Sequence, residues 1–255
     1  MKPTFRAILF CLLPLSALRA EEPAAPVQKQ LPYQIEFSNL PEEKRNAYGT
    51  ALAEAQRLFG EKRVFEAVEK AGAARAIFEN DPTLLTLMGA CQVEFRNFDK
   101  AMEYFKKADS LTPDQPSIIF NIAELNFVTK DWEAAETNLS KVIRLSEANV
   151  TKGDIQLSRL VEFKLLLTKL KLGKKDEAAQ LAKKYDFLDD SPYPYYAEAA
   201  ILFSEEKDVA AEAAIARANR IFRNPGILSP WQDTMVEFGY VKGFFGGDED
   251  PGATK

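Results

Sequence analysis

The chain repeats itself every 34 residues. Laid over one another, residues 82–115 and 116–149 match column by column: Pro82 with Pro116, Leu85 with Ile119, Gly89 with Ala123, Phe98 with Trp132, Ala101 with Ala135, Phe105 with Leu139, and Leu111 with Leu145. In each unit two apolar stretches at helical spacing flank a short polar turn, Arg96-Asn97 or Lys130-Asp131. A helix–turn–helix of this length cannot bury its apolar face alone, so neighbouring units must stack into a solenoid with a concave side. The small residues mark helix crossings, and the large ones fill the space beside them.

Composition agrees with an all-α chain. Of 255 residues, 46% are apolar and only 12 are glycine, and Ala, Glu, Lys and Leu dominate. There is no histidine, which excludes Ser-His-Asp and Cys-His nucleophiles, His-ligated zinc or haem, and a histidine pH switch. No motif points to a cofactor, a metal or an enzyme built from other residues. Asp189-Asp190 and Asp248-Glu249-Asp250 are the candidate acids, but they fall in a turn and a tail, where charge runs are solvated.

Residues 1–20 read as a secretory signal peptide. Lys2 and Arg6 form its basic start, and Ala7 to Leu18 is an apolar stretch interrupted by Pro14. That stretch is shorter than the roughly 20 residues a bilayer span needs. Ala20 precedes the cut, while Leu18 departs from the small-x-small rule. The competing reading is a buried N-terminal helix. Cleavage removes Lys2, Arg6 and Arg19, leaving 30 basic against 38 acidic residues, a net charge of −8. Such a surface repels nucleic acid and anionic membrane alike. The expectation is a periplasmic or secreted protein with no membrane insertion after cleavage. Phe10 precedes Cys11, which does not fit a lipidation site. Cys91 is then the single thiol, either packed between helices or bridging to another chain.

Residues 21–43, rich in Pro and Glu, read as an extended lead segment, with Tyr33, Ile35 and Phe37 alternating. The solenoid is expected over 44–245. Ala67 to Ala101 keeps the 34-residue step, and Ala135 to Ala178 stretches to 43, with the extra residues around 146–158. Asn149 to Asp154 has loop chemistry. Helices follow over 155–172 and 176–185, and Ala178 to Ala211 returns to 33. Asn224-Pro225-Gly226 reads as a stop. Ser229 and Gln232 read as a capping box opening a capping helix over 229–245, with Trp231, Met235 and Phe238 on one face. Residues 246–255 are expected to form a disordered acidic tail.

These residues resemble the tetratricopeptide repeat family over about 44–225. Residues 82–115 match its pattern at Leu85, Met88, Gly89, Ala101, Phe105, Ala108 and Pro113, with Gln92 departing. Residues 116–149 match at Ile119, Ile122, Ala123, Ala135 and Leu139, while Asn126, Val142 and Glu147 depart. The resemblance implies a right-handed superhelical solenoid of about four helix pairs plus the capping helix. The family's carboxylate clamp would fall on Thr86, Ala90, Asn121, Leu160 and Lys164. Only Asn121 fits, with Lys164 a conservative basic substitute, so the clamp is not carried over.

The family's register places Phe120, Asn121, Glu124, Phe127, Phe163, Lys164, Tyr193, Tyr196 and Phe203 on the concave side. Aromatic residues there suit a partner-binding groove, sharpest at Tyr193–Tyr196; the competing role is core packing. The resemblance implies a non-catalytic scaffold in the cell envelope. Its groove would hold a peptide or helix of another exported protein. A glycan- or peptidoglycan-binding protein is the alternative, and homo-oligomerisation stays open.

Overall fold

The same backbone turn closes five successive helix hairpins. In the computed structural model, which describes residues 30–148 and 155–242, Lys62, Arg96, Lys130, Gly173 and Glu206 take φ values of 62°, 56°, 64°, 74° and 61°. Each sits just past the first helix of a pair. The next N–H reaches back into that helix, as Asn97 N to Gln92 O at 2.9 Å and Lys174 N to Lys169 O at 2.9 Å. This Schellman-type closure satisfies carbonyls that the helix end leaves free. Only Gly173 takes the left-handed conformation without steric cost. The turns step by 34, 34, 43 and 33 residues, the spacing of the alanine columns.

The pairs are α2 (Glu42–Gly60) with α3 (Val64–Ile77), α4 (Pro82–Glu94) with α5 (Phe98–Leu111), α6 (Pro116–Val128) with α7 (Trp132–Ala148), α8 (Ile155–Lys171) with α9 (Lys175–Ala182), and α10 (Tyr193–Ser204) with α11 (Asp208–Ile221). With α1 (Pro32–Ser38) and α12 (Pro225–Phe238) this makes twelve helices and no strand among the described residues. The all-α solenoid is as expected, with five pairs rather than about four, because the alanine-rich α2/α3 packs as a full unit. Ala67, Ala101, Ala135, Ala178 and Ala211 are all fully buried. The 43-residue step is absorbed by α7 and α8, of 17 residues each, and by residues 149–154.

Two boundaries differ from expectation. The lead segment is not extended throughout. Leu31 N–H donates to Gln34 Oε1 at 2.8 Å, α1 follows, and Phe37 packs on Tyr48 and Phe78 with ring centroids 5.2 and 5.3 Å away. Tyr33 and Phe37 are one helical turn apart, whereas Ile35 faces solvent. The last helix starts at Pro225, not Ser229, because Asn224 is the cap and accepts from Gly226 N–H at 2.9 Å. Proline at the first helical position suits this start. The helix stops at Phe238, where Gly239 turns left-handed with φ 90°. Asn224-Pro225-Gly226 therefore opens a helix as well as ending the preceding one. The signal peptide, the loop 149–154 and the acidic tail lie outside the described residues.

No described helix is long and apolar enough to cross a membrane.

Candidate functional site

The inner side of the solenoid is lined by the first helix of each pair, and its aromatic stretch is already filled. Trp231, Met235 and Phe238 stand at i, i+4 and i+7 on α12, one face of a helix, and all three are buried. The Trp231 ring lies 5.3 Å from Phe163 on α8, 5.6 Å from Tyr196 and 6.3 Å from Tyr193 on α10. Phe238 stacks on Phe127 of α6 at 6.1 Å and meets Trp132 edge-on at 5.8 Å. Just beyond the helix, Tyr240 stacks on Phe203 at 5.1 Å. Thus α12 does not stack on α11 as a further unit would. It packs on α8, with side chains reaching α6 and α10.

A charge sits under this helix. The Lys164 side chain is 4% exposed; its Nζ is 2.7 Å from Glu124 on α6, 3.5 Å from Glu237 on α12 and 4.8 Å from the centre of the Phe127 ring. A buried ammonium must be paired to be tolerated. Burial raises the Glu124 carboxyl above its ordinary value, Lys164 opposes that rise, and the negative charge of Glu237 adds to it.

The expected groove residues therefore divide. Phe127, Phe163, Lys164, Tyr193 and Tyr196 are buried, not open to solvent, because the stripe of α12 covers them or they pack between helices. Tyr193 is the clearest case: its hydroxyl donates to Leu181 O at 2.8 Å and its ring meets Tyr185 edge-on at 5.1 Å. Burial pushes its phenol far above the ordinary range. Phe120, Asn121, Glu124 and Phe203 are half-buried.

Phe120 and Asn121 border an open cavity of about 600 Å³, one helical turn before Glu124. Its apolar wall is Val142, Ile143, Leu157 and Val161; its polar end is Arg159, Glu162, Lys184 and Tyr185. Glu162 accepts from Lys184 Nζ and Tyr185 Oη, each at 3.0 Å. The Arg159 guanidinium pairs with Asp189 at 2.8 Å and lies 3.5 Å from the centre of the Tyr185 ring. Asp189 also accepts from Ser191 Oγ at 2.5 Å, so this candidate acid is tied into a structural knot; Asp248-Glu249-Asp250 lie outside the described residues. Sequence reasoning missed this knot because Arg159 and Asp189 are 30 residues apart with no shared period.

A second concavity of about 490 Å³ lies against α2 and α4, lined among others by Phe59, Thr83, Thr86, Ala90 and Ser117. Thr86 and Ala90 are the positions where a carboxylate clamp would need Lys and Asn. Cys91 is buried on the same helix α4, and burial, with the nearby Glu94, pushes its thiol up to about 11. The structure favours the packed role for this residue.

The fold is that of solved tetratricopeptide repeat proteins. A structure of Pseudomonas aeruginosa pilF is similar with a TM-score of 0.54, over 78% of this chain and 94% of that one, at 14% identity. The MamA protein gives 0.53 over 71% and 94%, also at 14% identity. YrrB, described as a TPR protein with an unusual peptide-binding site, gives 0.53 over 75% and 94% at 16% identity. At such identities the likeness is one of fold. No protein-family model and no curated protein matches the sequence.

Proposed function

We propose that this protein is a non-catalytic interaction scaffold of the cell envelope, holding a peptide or helix of another exported protein on its concave surface. One observation carries the reading. The inner faces of α6, α8 and α10 hold an amphipathic helix, α12, by three large apolar side chains and one carboxylate on Lys164. That is helix-in-groove recognition. The open cavity at Phe120 and Asn121 is where a partner segment reaches α6 and α8 with α12 in place. The fold shared with a peptide-binding repeat protein supports this use, and the signal-like residues 1–20 support export. Glycan stacking needs free ring faces, and Phe127, Phe163, Tyr193 and Tyr196 offer none.

The test is capture by a photo-crosslinking residue at position 120 of the full chain, expressed in its own cell envelope. A discrete cross-linked protein, reduced by Asn121→Ala, is expected. Retention on a peptidoglycan column with no cross-linked protein would replace the scaffold with the glycan reading. N-terminal sequencing of the same material checks export; an intact Met1 would remove the envelope location.

A further inference from the structure

We propose that the stretch under α12 is itself a partner site, specific for an amphipathic helix with large apolar residues at i, i+4 and i+7 and a carboxylate at i+6. In this proposal α12 is the occupant exchanged for that helix. The inference rests on the scaffold reading and adds the chemistry of the partner.

Three features of α12 support exchange. It leaves the solenoid path after a link of three residues, 222–224, and packs on α8 rather than stacking on α11. It is therefore seated as a ligand is, across helices of several units. Its own ladder is interrupted, because Pro230 lies inside the helix and has no N–H to give to Gly226 O. Finally, its seat contains a charge that selects. Lys164 is buried and takes Glu124 from below and Glu237 from above.

Simple opening is disfavoured. It would put Trp231, Met235 and Phe238 into water and strip the same cover from Phe163, Tyr196 and Phe127. Exchange for a helix of like chemistry avoids that loss, and the tether raises the concentration a competitor must match. The site thus rejects helices lacking either the apolar triad or the acid.

The probe is a fluorescent peptide of residues 224–241, titrated against the full chain. Glu237 is 39% exposed, so Glu237→Lys in the full chain loosens the resident helix by charge repulsion without hollowing the core. That chain should bind the native peptide at least about tenfold tighter than wild type does, since more of it is in the competent state. It should also prefer the native peptide over one carrying Glu237→Lys, also by about tenfold. At saturation, hydrogen exchange across 225–238 of the wild-type chain should rise. Equal affinity of both chains, equal affinity for both peptides, or unchanged exchange at saturation would each overturn the proposal. Far-ultraviolet circular dichroism verifies that the variant is folded, and the milder Glu237→Gln must give the same order of affinities. Partner capture at position 120 without peptide exchange would leave the scaffold standing and remove only this inference.

Discussion

The indole of Trp231 lies against the ring of Phe163, centroids 5.3 Å apart and planes 37° to one another, with both side chains buried. This contact fastens the last helix to the middle of the concave wall. Trp231 also touches Tyr196 and Tyr193, so one side chain joins α8, α10 and α12.

Replacing Trp231 with alanine should therefore cost about 3–5 kcal/mol, the range for deleting a buried large aromatic residue. Urea unfolding followed by circular dichroism would measure it. Amides of α12 should lose protection first, while α2 to α5, whose cores lie apart from it, keep theirs. A variant that melts like wild type would show that α12 is not held through this ring.

Among the described glycines, Gly89 marks the closest approach. A Cβ there would stand 2.4 Å from Cε1 and 2.7 Å from Cδ1 of Phe105, whose ring is buried. Gly89→Ala should destabilise by about 1–3 kcal/mol through overpacking, despite alanine's better helix propensity. Combining it with Phe105→Leu should cost less than the sum of the two single changes, by more than about 0.5 kcal/mol. Additive costs in equilibrium denaturation would contradict the crossing.

Acid should loosen the joint between α7 and α8. Burial alone would raise the Glu136 carboxyl, but Lys169 at 2.8 Å and Lys174 at 2.6 Å outweigh it and hold the group below its ordinary 4.5. A carboxyl depressed on folding contributes stability above its unfolded value and loses it as pH falls through the folded one. Glu136→Gln should thus lose about 1 kcal/mol at pH 7, and mutant and wild type should converge as pH falls through the depressed value. Thermal melts across pH 3 to 7 check the sign.

Cys91 should behave as a buried, unreactive thiol. With its ionisation pushed up to about 11 and no surface exposed, little thiolate is available at pH 8. A chromogenic disulfide reagent should label it only as urea unfolds the chain. Rapid labelling of the folded protein, or a disulfide-linked dimer on a non-reducing gel, would return Cys91 to the bridging role.

The repeat period alone determined that this chain is a stack of helix hairpins. Steps of 34, 43 and 33 residues between Ala101, Ala135, Ala178 and Ala211 are local quantities. They fixed which residues face the next helix, and those alanines are fully buried. The apolar face Trp231-Met235-Phe238 was equally legible, as was the concave placement of Phe127, Phe163 and Tyr196. Only the tertiary structure decided that these two surfaces meet. A sequence shows which faces must leave water, because that depends on side chains within one helix. Which of two apolar faces covers the other depends on the direction of the link at 222–224 and on shape and charge complementarity over long separations. Lys164 and Glu237, 73 residues apart and on no common period, meet only when α12 turns inward.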